Sequence, residues 1–410
     1  MTPTGAHRRL NVSAHGTLVD DAPEDRARPP VTRTAALRAA DGAVQTGHVP
    51  ALDGVRGIAV IMVMAFHIWR APVTAIGWAG VDLFFVLSGY LITGILWDLR
   101  PSAERARVFY LRRAFRILPL YYGLLLAAFV ARPFLGLAVR RDDLALVGEH
   151  LWYWTYLCDW RIALGHPHAI TFLSHLWTLS IEEQFYLVWP LVIWRCSRRT
   201  ALTIASLCAA GALALRGWAV LTGQSPDIAY MLLPCRVDAL AAGAILALAA
   251  RGPGGLERVW RWATPTGIAG AGTAALIVLV RATAAYTDPV MSTIGYTALD
   301  WACGGLVVAA AARGSSILET PLLRSAGRYS YGLYVYHPLV MWWIVRDAAW
   351  LERSEVRFVA GAALGSVLVA CTSYHLFEQP FLRLKDRVAR RPASVESRRR
   401  AIARDAASDT

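Results

Sequence analysis

The sequence predicts an all-α polytopic membrane protein, with about ten transmembrane helices in one bundle and both termini in the cytoplasm. Of its 410 residues, 56% are hydrophobic and only 17% are charged, whereas soluble proteins carry about a quarter charged residues. Apolar segments of the ~20 residues needed to span a bilayer core recur almost to the end of the chain. Arginines cluster at alternate ends of these segments, as the positive-inside rule requires of cytoplasmic loops.

Polar tails flank the apolar part. Residues 1–47 contain no apolar core and predict a disordered cytoplasmic tail. Residues 48–385 form the predicted transmembrane domain, and residues 386–410 predict a basic cytoplasmic tail. The ten predicted spans lie near 54–70, 76–97, 114–131, 176–195, 201–222, 228–250, 264–281, 290–312, 329–346 and 357–377.

The net charge of +13 comes almost wholly from arginine, since Lys385 is the only lysine. The arginines lie between apolar segments and in both tails, so membrane topology explains them better than nucleic-acid binding does. The expected location is the inner (plasma) membrane, as a multi-pass protein. The six cysteines form no CxxC or Cys/His cluster, so we expect no disulfide and no metal site.

The first span carries two polar residues that are costly in a membrane, Arg56 and His67. They lie eleven residues apart, which places them on one helix face and about 16 Å apart along the axis. The structural alternative is that Arg56 snorkels to the lipid headgroups and His67 only bonds a neighbouring helix. Either residue alone is compatible with that alternative.

Three arginines open the third span: Arg112, Arg113 and Arg116. Spacings of three and four residues place them on one face of a helix. Guanidinium groups match phosphate oxygens in geometry, so the cluster predicts a phosphate clamp. Topology marking by positive charge is the alternative.

The fourth span begins HLWTLSIEEQFYLVWP, which brings His175, Trp177, Glu182 and Glu183 into an apolar segment. Two adjacent carboxylates inside a span are hard to explain by packing, because each needs a partner or a proton. We therefore interpret this segment as functional, with Trp177 also a possible interface anchor.

Three further polar residues lie in later spans. Arg236 and Asp238 stand two residues apart near the sixth span, and His337 precedes a proline in the ninth. An internal Arg–Asp pair is as often structural as functional, and His337 beside Pro338 is also explained by a helix kink. Both interpretations remain open for each residue.

Taken together, these segments resemble the type-3 membrane acyltransferases, bacterial enzymes that O-acylate surface polysaccharides, peptidoglycan or macrolides. The resemblance covers roughly residues 50–385, and its specificity comes from several motifs that occur in order. The matching blocks are the Arg-x10-His pair Arg56 and His67 with its LDGxRGxA lead-in, GVDLFFVLSGYLIT (Gly80–Thr93), RRxxRIxPxYY (Arg112–Tyr122), HLWxLSxEEQFYLxWP (His175–Pro190), RxDAL (Arg236–Leu240), Ser330–Leu339 and FEQP (Phe377–Pro380).

The resemblance implies that acyl-CoA, acetyl-CoA by preference, is the donor, with no permanently bound cofactor. On this hypothesis His67 is the general base toward an acceptor hydroxyl, or first takes the acyl group itself, and Glu182 orients it. The acceptor is a hydroxylated glycan or a macrolide-like metabolite. The phosphates would be held by Arg56, Arg112, Arg113 and Arg116, and the acceptor by His175, Trp177, Arg236, Asp238 and His337.

Two other functions compete with acyl transfer as explanations of these polar residues. A transporter or flippase of a glycan or small metabolite also has polar residues inside a helical bundle. The sequence shows no inverted repeat and no paired Gly/Pro-broken helices, which disfavours transport. A purely structural membrane protein is disfavoured by the joint presence of Arg56, His67 and Glu182. The sequence carries no information on the oligomeric state.

Overall fold

The computed structural model describes residues 48–69, 71–131, 150–165, 172–348 and 350–388. Within these ranges the regular structure is helical and no strand occurs. The helices are α1 (Pro50–Ile68), α2 (Gly80–Leu99), α3 (Arg105–Leu126), α4 (Cys158–Ala163), α5 (Trp177–Arg195), α6 (Arg198–Leu221), α7 (Pro226–Met231), α8 (Leu233–Ala250), α9 (Gly255–Arg281), α10 (Tyr296–Arg313), α11 (Pro321–Asp347), α12 (Glu355–Ser373) and α13 (Gln379–Val388).

Each of the ten predicted spans coincides with a long helix, which confirms the predicted fold class. Short segments of π-helix occupy Ala127–Ala131, Met291–Gly295 and Tyr374–Glu378. Helix α13 runs to Val388, three residues into the predicted C-terminal tail. The rest of that tail and the predicted N-terminal tail, residues 1–47, lie outside the described residues, and the placement of both termini in the cytoplasm stays a prediction.

Among the described residues, eight helical segments are long and apolar enough to cross a membrane. The two long helices that miss this standard are α5 and α11. Helix α5 carries Glu182, Glu183 and Gln184, and α11 carries Arg324, Arg328 and Arg346 among its polar residues. His337 lies on α11, and His175 lies in the short turn that leads into α5.

Close backbone approach holds α1 against α11. A Cβ on Gly327 of α11 would overlap the carbonyl oxygen of Asp53, and one on Gly54 of α1 would overlap that of Leu318. Small residues at such crossings allow helices to approach closely within a membrane. This crossing fixes the register between the helix that carries Arg56 and His67 and the helix that carries His337.

Candidate functional site

Four predicted arginines meet at one end of the bundle. Arg56 of α1 and the three arginines of α3 line a single cavity of about 410 Å³, together with Arg251 and Lys385. We call the six cationic side chains Arg56, Arg112, Arg113, Arg116, Arg251 and Lys385 the basic mouth. The structure therefore brings together all the residues that were predicted to hold phosphate.

Two carboxylates preorganise the basic mouth. Asp53 accepts a hydrogen bond from Nη1 of Arg56 at 3.1 Å. Asp98 accepts two bonds from Arg251, one from Nε and one from Nη2, both at 2.9 Å. Asp53 and Asp98 are the only carboxylates among the described residues that line this cavity, so positive charge predominates there. Such a field suits a ligand with several negative charges.

A second cavity, which we call the inner cavity, continues from the basic mouth into the bundle. It has a volume of about 110 Å³ and shares Arg56, Arg113 and Arg116 with the mouth. Its wall is mainly apolar, with Phe84 and Leu179 among its members. The polar groups in this wall are Ser88, Thr178, Glu182, Tyr186, Ser330, Tyr331 and Tyr334. The inner cavity is thus narrow and mixed in character, and the guanidinium groups lie at its entrance.

Glu182 lies in the wall of the inner cavity. The sequence had led us to expect that it pairs with His67, but the structure does not place these two side chains together. The Glu182 side chain lies beside Ser88 and Tyr186 and faces the charges of Arg113 and Arg56. Ser88 and Tyr186 are also bonded to each other. The physical reason is helix rise: Glu182 stands two turns beyond His175, about 10 Å along the axis. The Glu182 carboxylate therefore lies near the arginines at the entrance of the inner cavity, and not near His67.

Three histidines from distant parts of the chain meet at the other end of α1. The ring of His67 lies 5.1 Å from that of His337, which lies 5.9 Å from that of His175. Tyr334 adjoins both inner rings, at 5.5 Å from His175 and 5.8 Å from His337. We call His67, His175 and His337 the histidine cluster. Each of the three was a predicted site residue, but their spacing in the sequence does not place them together.

Backbone carbonyls set the tautomers of two members of the histidine cluster. Nδ1 of His67 lies 2.8 Å from the carbonyl oxygen of Val63, and Nδ1 of His337 lies 3.1 Å from that of Leu333. Since a carbonyl only accepts, Nδ1 carries the proton in each neutral ring and Nε2 is left as the base. His67 is exposed, whereas His337 is fully buried. Of these two rings, only that of His67 is accessible from outside the bundle.

Tyr334 joins the inner cavity to the histidine cluster. It lines the cavity, and its hydroxyl donates to the carbonyl oxygen of His175 at 2.9 Å. The same hydroxyl bonds Oγ1 of Thr178 at 2.7 Å. Tyr334 and Thr178 thus form the wall between the two regions. The path from Arg56 to His67 covers about 16 Å along α1.

Arg236 and Asp238 lie elsewhere, contrary to their predicted role in binding an acceptor. Arg236 forms a buried ion pair with Asp82 of α2, and Asp238 pairs with Arg216 of α6 at 2.6 Å. Asp300 of α10 is buried beside these two pairs. None of these residues lines the basic mouth or the inner cavity. Burial of their charges requires pairing, so the group joins four helices of the bundle.

Trp177 also differs from its predicted role. It is buried between Phe85, at 6.1 Å between ring centroids, and Tyr230, at 5.0 Å. It lines neither of the two cavities. Its large apolar ring therefore belongs to the core and not to a membrane interface or a substrate contact.

Two mouth residues, Arg251 and Lys385, were absent from the predicted site. Lys385 is the last residue of the predicted transmembrane domain, next to the predicted tail. Its signal was present in the amphipathic segment FLRLKDRV, whose apolar positions repeat at helical spacing. In the described part of the chain, no group of His, Cys, Asp and Glu is arranged to hold a metal ion.

A helical membrane bundle with a cationic mouth, an inner cavity and a histidine cluster describes a polytopic membrane protein whose mouth is suited in charge to an anionic ligand. Comparison with known proteins narrows this class. A family model described as an acyltransferase domain matches residues 49–375. The chain therefore belongs to the type-3 acyltransferase family, which confirms the resemblance found in its motifs.

Two curated relatives extend this comparison. The chain is similar to peptidoglycan O-acetyltransferase OatA of Listeria monocytogenes, with 32% identity over 220 residues, and to O-acetyltransferase OatA of Staphylococcus aureus, with 33% over 213. Each alignment covers 49% of this chain and 34% of the relative, so the chain matches about a third of the length of these proteins. No solved structure matches the chain significantly.

Proposed function

We propose that this protein is a membrane O-acyltransferase that moves an acyl group, acetyl by preference, from acyl-CoA to a hydroxyl group of a carbohydrate. The observation that carries the proposal is the order of the basic mouth, the inner cavity and the histidine cluster, which follow one another along α1. Cations stand at one end of this path and a basic imidazole at the other.

The shape and charge of acyl-CoA fit this path. The nucleotide carries about four negative charges at pH 7, two on its diphosphate and nearly two on its 3′-phosphate. The thioester stands at the far end of a long, uncharged pantetheine arm. Arg56, Arg113 and Arg116 would hold the diphosphate where the mouth narrows. The arm would then extend through the inner cavity toward Tyr334 and the histidine cluster.

His67 is the proposed general base. Its Nε2 takes the proton of the acceptor hydroxyl while the hydroxyl oxygen attacks the thioester carbonyl. The C–S bond breaks, the CoA thiolate leaves, and the proton held by His67 balances the thiolate as the thiol. In the second possible order, Nε2 itself first attacks the thioester and then passes the acyl group on. In either order, the Val63 carbonyl fixes the ring that Glu182 was expected to orient.

The proposed role of Glu182 follows from its new surroundings. Its position beside Ser88 and Tyr186 and its proximity to Arg56 and Arg113 place a carboxyl group among the cations of the entrance. A fixed carboxylate there orients the guanidinium groups and limits their mutual repulsion. Glu182 is therefore a positioning residue for donor binding, and His337 and His175 are proposed to line the acceptor end.

The acceptor and the orientation complete the proposal. A relative is named as acting on peptidoglycan, which favours a cell-envelope glycan over a macrolide-like metabolite. Because CoA esters are cytoplasmic, the basic mouth would open to the cytoplasm and His67 would face the outer side of the plasma membrane. The arginine distribution supports the same orientation, with both termini inside.

The test is acetyl transfer by the purified protein in lipid nanodiscs, with acetyl-CoA and soluble peptidoglycan fragments. Wild type should yield an acetylated glycan, detected by mass spectrometry. His67→Ala should lower the rate by about 100-fold or more, while His375→Ala, which changes an exposed ring bonded to Tyr329, should keep it. Acetyl transfer by His67→Ala at the wild-type rate would refute the base assignment, and uptake of glycan without covalent product would favour a transporter.

A further inference from the structure

Lys385 adds a cation to the basic mouth from outside the part of the chain that matches the family model, which ends at residue 375. It lies on α13, which packs against α3. Its side chain is only 21% exposed. Its charged neighbours are Asp386, with which Nζ forms an ion pair at 3.6 Å, and the guanidinium groups of Arg112 and Arg116. The last helix therefore turns the chain's only lysine toward the arginines of α3.

The cations of the basic mouth lie at two depths. Arg56, Arg113 and Arg116 line both the mouth and the inner cavity, so they mark the neck between them. Lys385, Arg112 and Arg251 line the mouth alone, as an outer ring.

The cations of the outer ring differ in how strongly nearby carboxylates neutralise them. Asp98 binds Arg251 through two hydrogen bonds. The partner of Lys385 is weaker, because the side chain of Asp386 is 71% exposed and water screens its charge. Lys385 also faces Arg112 and Arg116, whose like charges repel it. An anion between Lys385 and Arg112 would relieve this repulsion.

We propose that Lys385 and Arg112 form a subsite for the 3′-phosphate of CoA. The inference rests on the proposed function, in which the pantetheine arm enters the inner cavity. The diphosphate is joined directly to that arm, so it must lie at the neck, beside Arg113 and Arg116. The 3′-phosphate stands on the ribose, farther from the arm, and therefore falls on the outer ring. A phosphate monoester is nearly a dianion at neutral pH and suits the point charge of a lysine.

Two donors separate this subsite from general positive charge. The KM values for acetyl-CoA and for 3′-dephospho-acetyl-CoA are measured in nanodiscs for wild type and Lys385→Ala. The substitution should raise the KM for acetyl-CoA about tenfold or more, as loss of a charged hydrogen bond does, with little change in kcat. It should leave the KM for the dephospho donor unchanged. Equal effects on both donors, or no effect on either, would overturn the subsite.

A matched control and a binding measurement complete the test. Arg383→Ala removes a cation from the same helix whose guanidinium bonds Gln379 and does not line the mouth, so it should change neither KM. Binding of CoA and of 3′-dephospho-CoA is also measured by calorimetry, without turnover. Selective binding of CoA that Lys385→Ala abolishes, in a protein without acetyl transfer, would keep the subsite and refute the proposed function. Equal affinity of wild type for both ligands would refute the subsite whether or not acetyl is transferred.

Discussion

The rings of His67 and His337 lie 5.1 Å apart, on helices α1 and α11, at opposite ends of the amino-acid sequence. The first ring is exposed and the second is fully buried. Nε2 of His337 has no hydrogen-bond partner among the described residues. A buried nitrogen without a partner carries a desolvation cost of about 1–3 kcal/mol, which a functional site can tolerate in exchange for chemistry.

The pairing predicts that His337 contributes to the transfer step and not to donor binding. His337→Gln keeps a polar side chain of similar length but removes the imidazole base. We expect kcat to fall about tenfold and the KM for acyl-CoA to stay constant, because His337 does not line the basic mouth. Steady-state kinetics over a range of acetyl-CoA concentrations measures both constants. A raised KM with normal kcat would contradict this role.

Because arginines line the neck of the mouth, we expect that loss of one of them weakens binding of the donor. Arg113→Gln removes one guanidinium from the shared lining of the two cavities and should raise the KM for acyl-CoA about tenfold or more. Arg107→Gln is the matched control, because this arginine is exposed on the same helix and pairs with Glu104 at 3.3 Å. Its KM should equal that of wild type. Similar KM values for both variants would mean that the neck does not bind the donor.

The buried ion pair of Arg236 and Asp82 predicts a loss of stability and not of substrate binding. Arg236→Ala leaves the carboxylate of Asp82 buried without its partner and should lower the free energy of unfolding by about 3–5 kcal/mol. The midpoint of thermal unfolding in detergent measures the change. Arg261→Ala, at an exposed pair with Glu257, should alter it little. If Arg236→Ala left the stability unchanged and raised the KM for the acceptor, that result would support the sequence-based prediction that Arg236 binds the acceptor.

Asp159 predicts a pH-dependent stability. It lies on α4, outside the membrane-spanning helices, where burial raises the pKa of its carboxyl to about 7, partly opposed by a hydrogen bond from Gln184 at 2.8 Å. The unfolded chain releases this proton near pH 3.9. The folded state therefore binds the proton more tightly, and the contribution to stability falls as pH rises from about 4 to about 7, then stays level.

The Asp159→Asn variant tests whether Asp159 makes the stability fall as pH rises. The amide keeps the shape and cannot ionise, so unfolding midpoints measured between pH 5 and pH 8 should decline less in the variant than in wild type. Above pH 7, the variant should be the more stable of the two. Parallel curves for both proteins would contradict the raised pKa.

Many features of this protein could be predicted from sequence patterns within single helices. Apolar segments of bilayer length predicted the ten long helices, because a backbone in lipid must satisfy its own hydrogen bonds. The arginines of α3 were placed on one face by helical periodicity alone. Their convergence with Arg56 into one mouth was also correctly expected, since both helices were predicted to carry these residues at the same side of the membrane.

Side-chain contacts between helices that are distant in the sequence could not be predicted in this way. Glu182 was expected beside His67, yet it joins Ser88 and Tyr186, because its depth along α5 matches the arginine end of α1. Arg236 and Asp238 stand side by side in sequence, but each pairs with a residue from another helix. A buried charge selects its partner by position in the bundle, which local spacing does not reveal.

Composition and local spacing were enough to predict the helices, their amphipathic faces and the family, because these depend on composition and on intervals within a few turns. The packing of the helices was needed to show that three histidines form one cluster, that Glu182 lies near Arg56 and Arg113, and that Lys385 of α13 meets the arginines of α3. These contacts depend on crossings such as Gly327 against Asp53. Packing sets the relative depth of two helices, and relative depth determines which side chains meet.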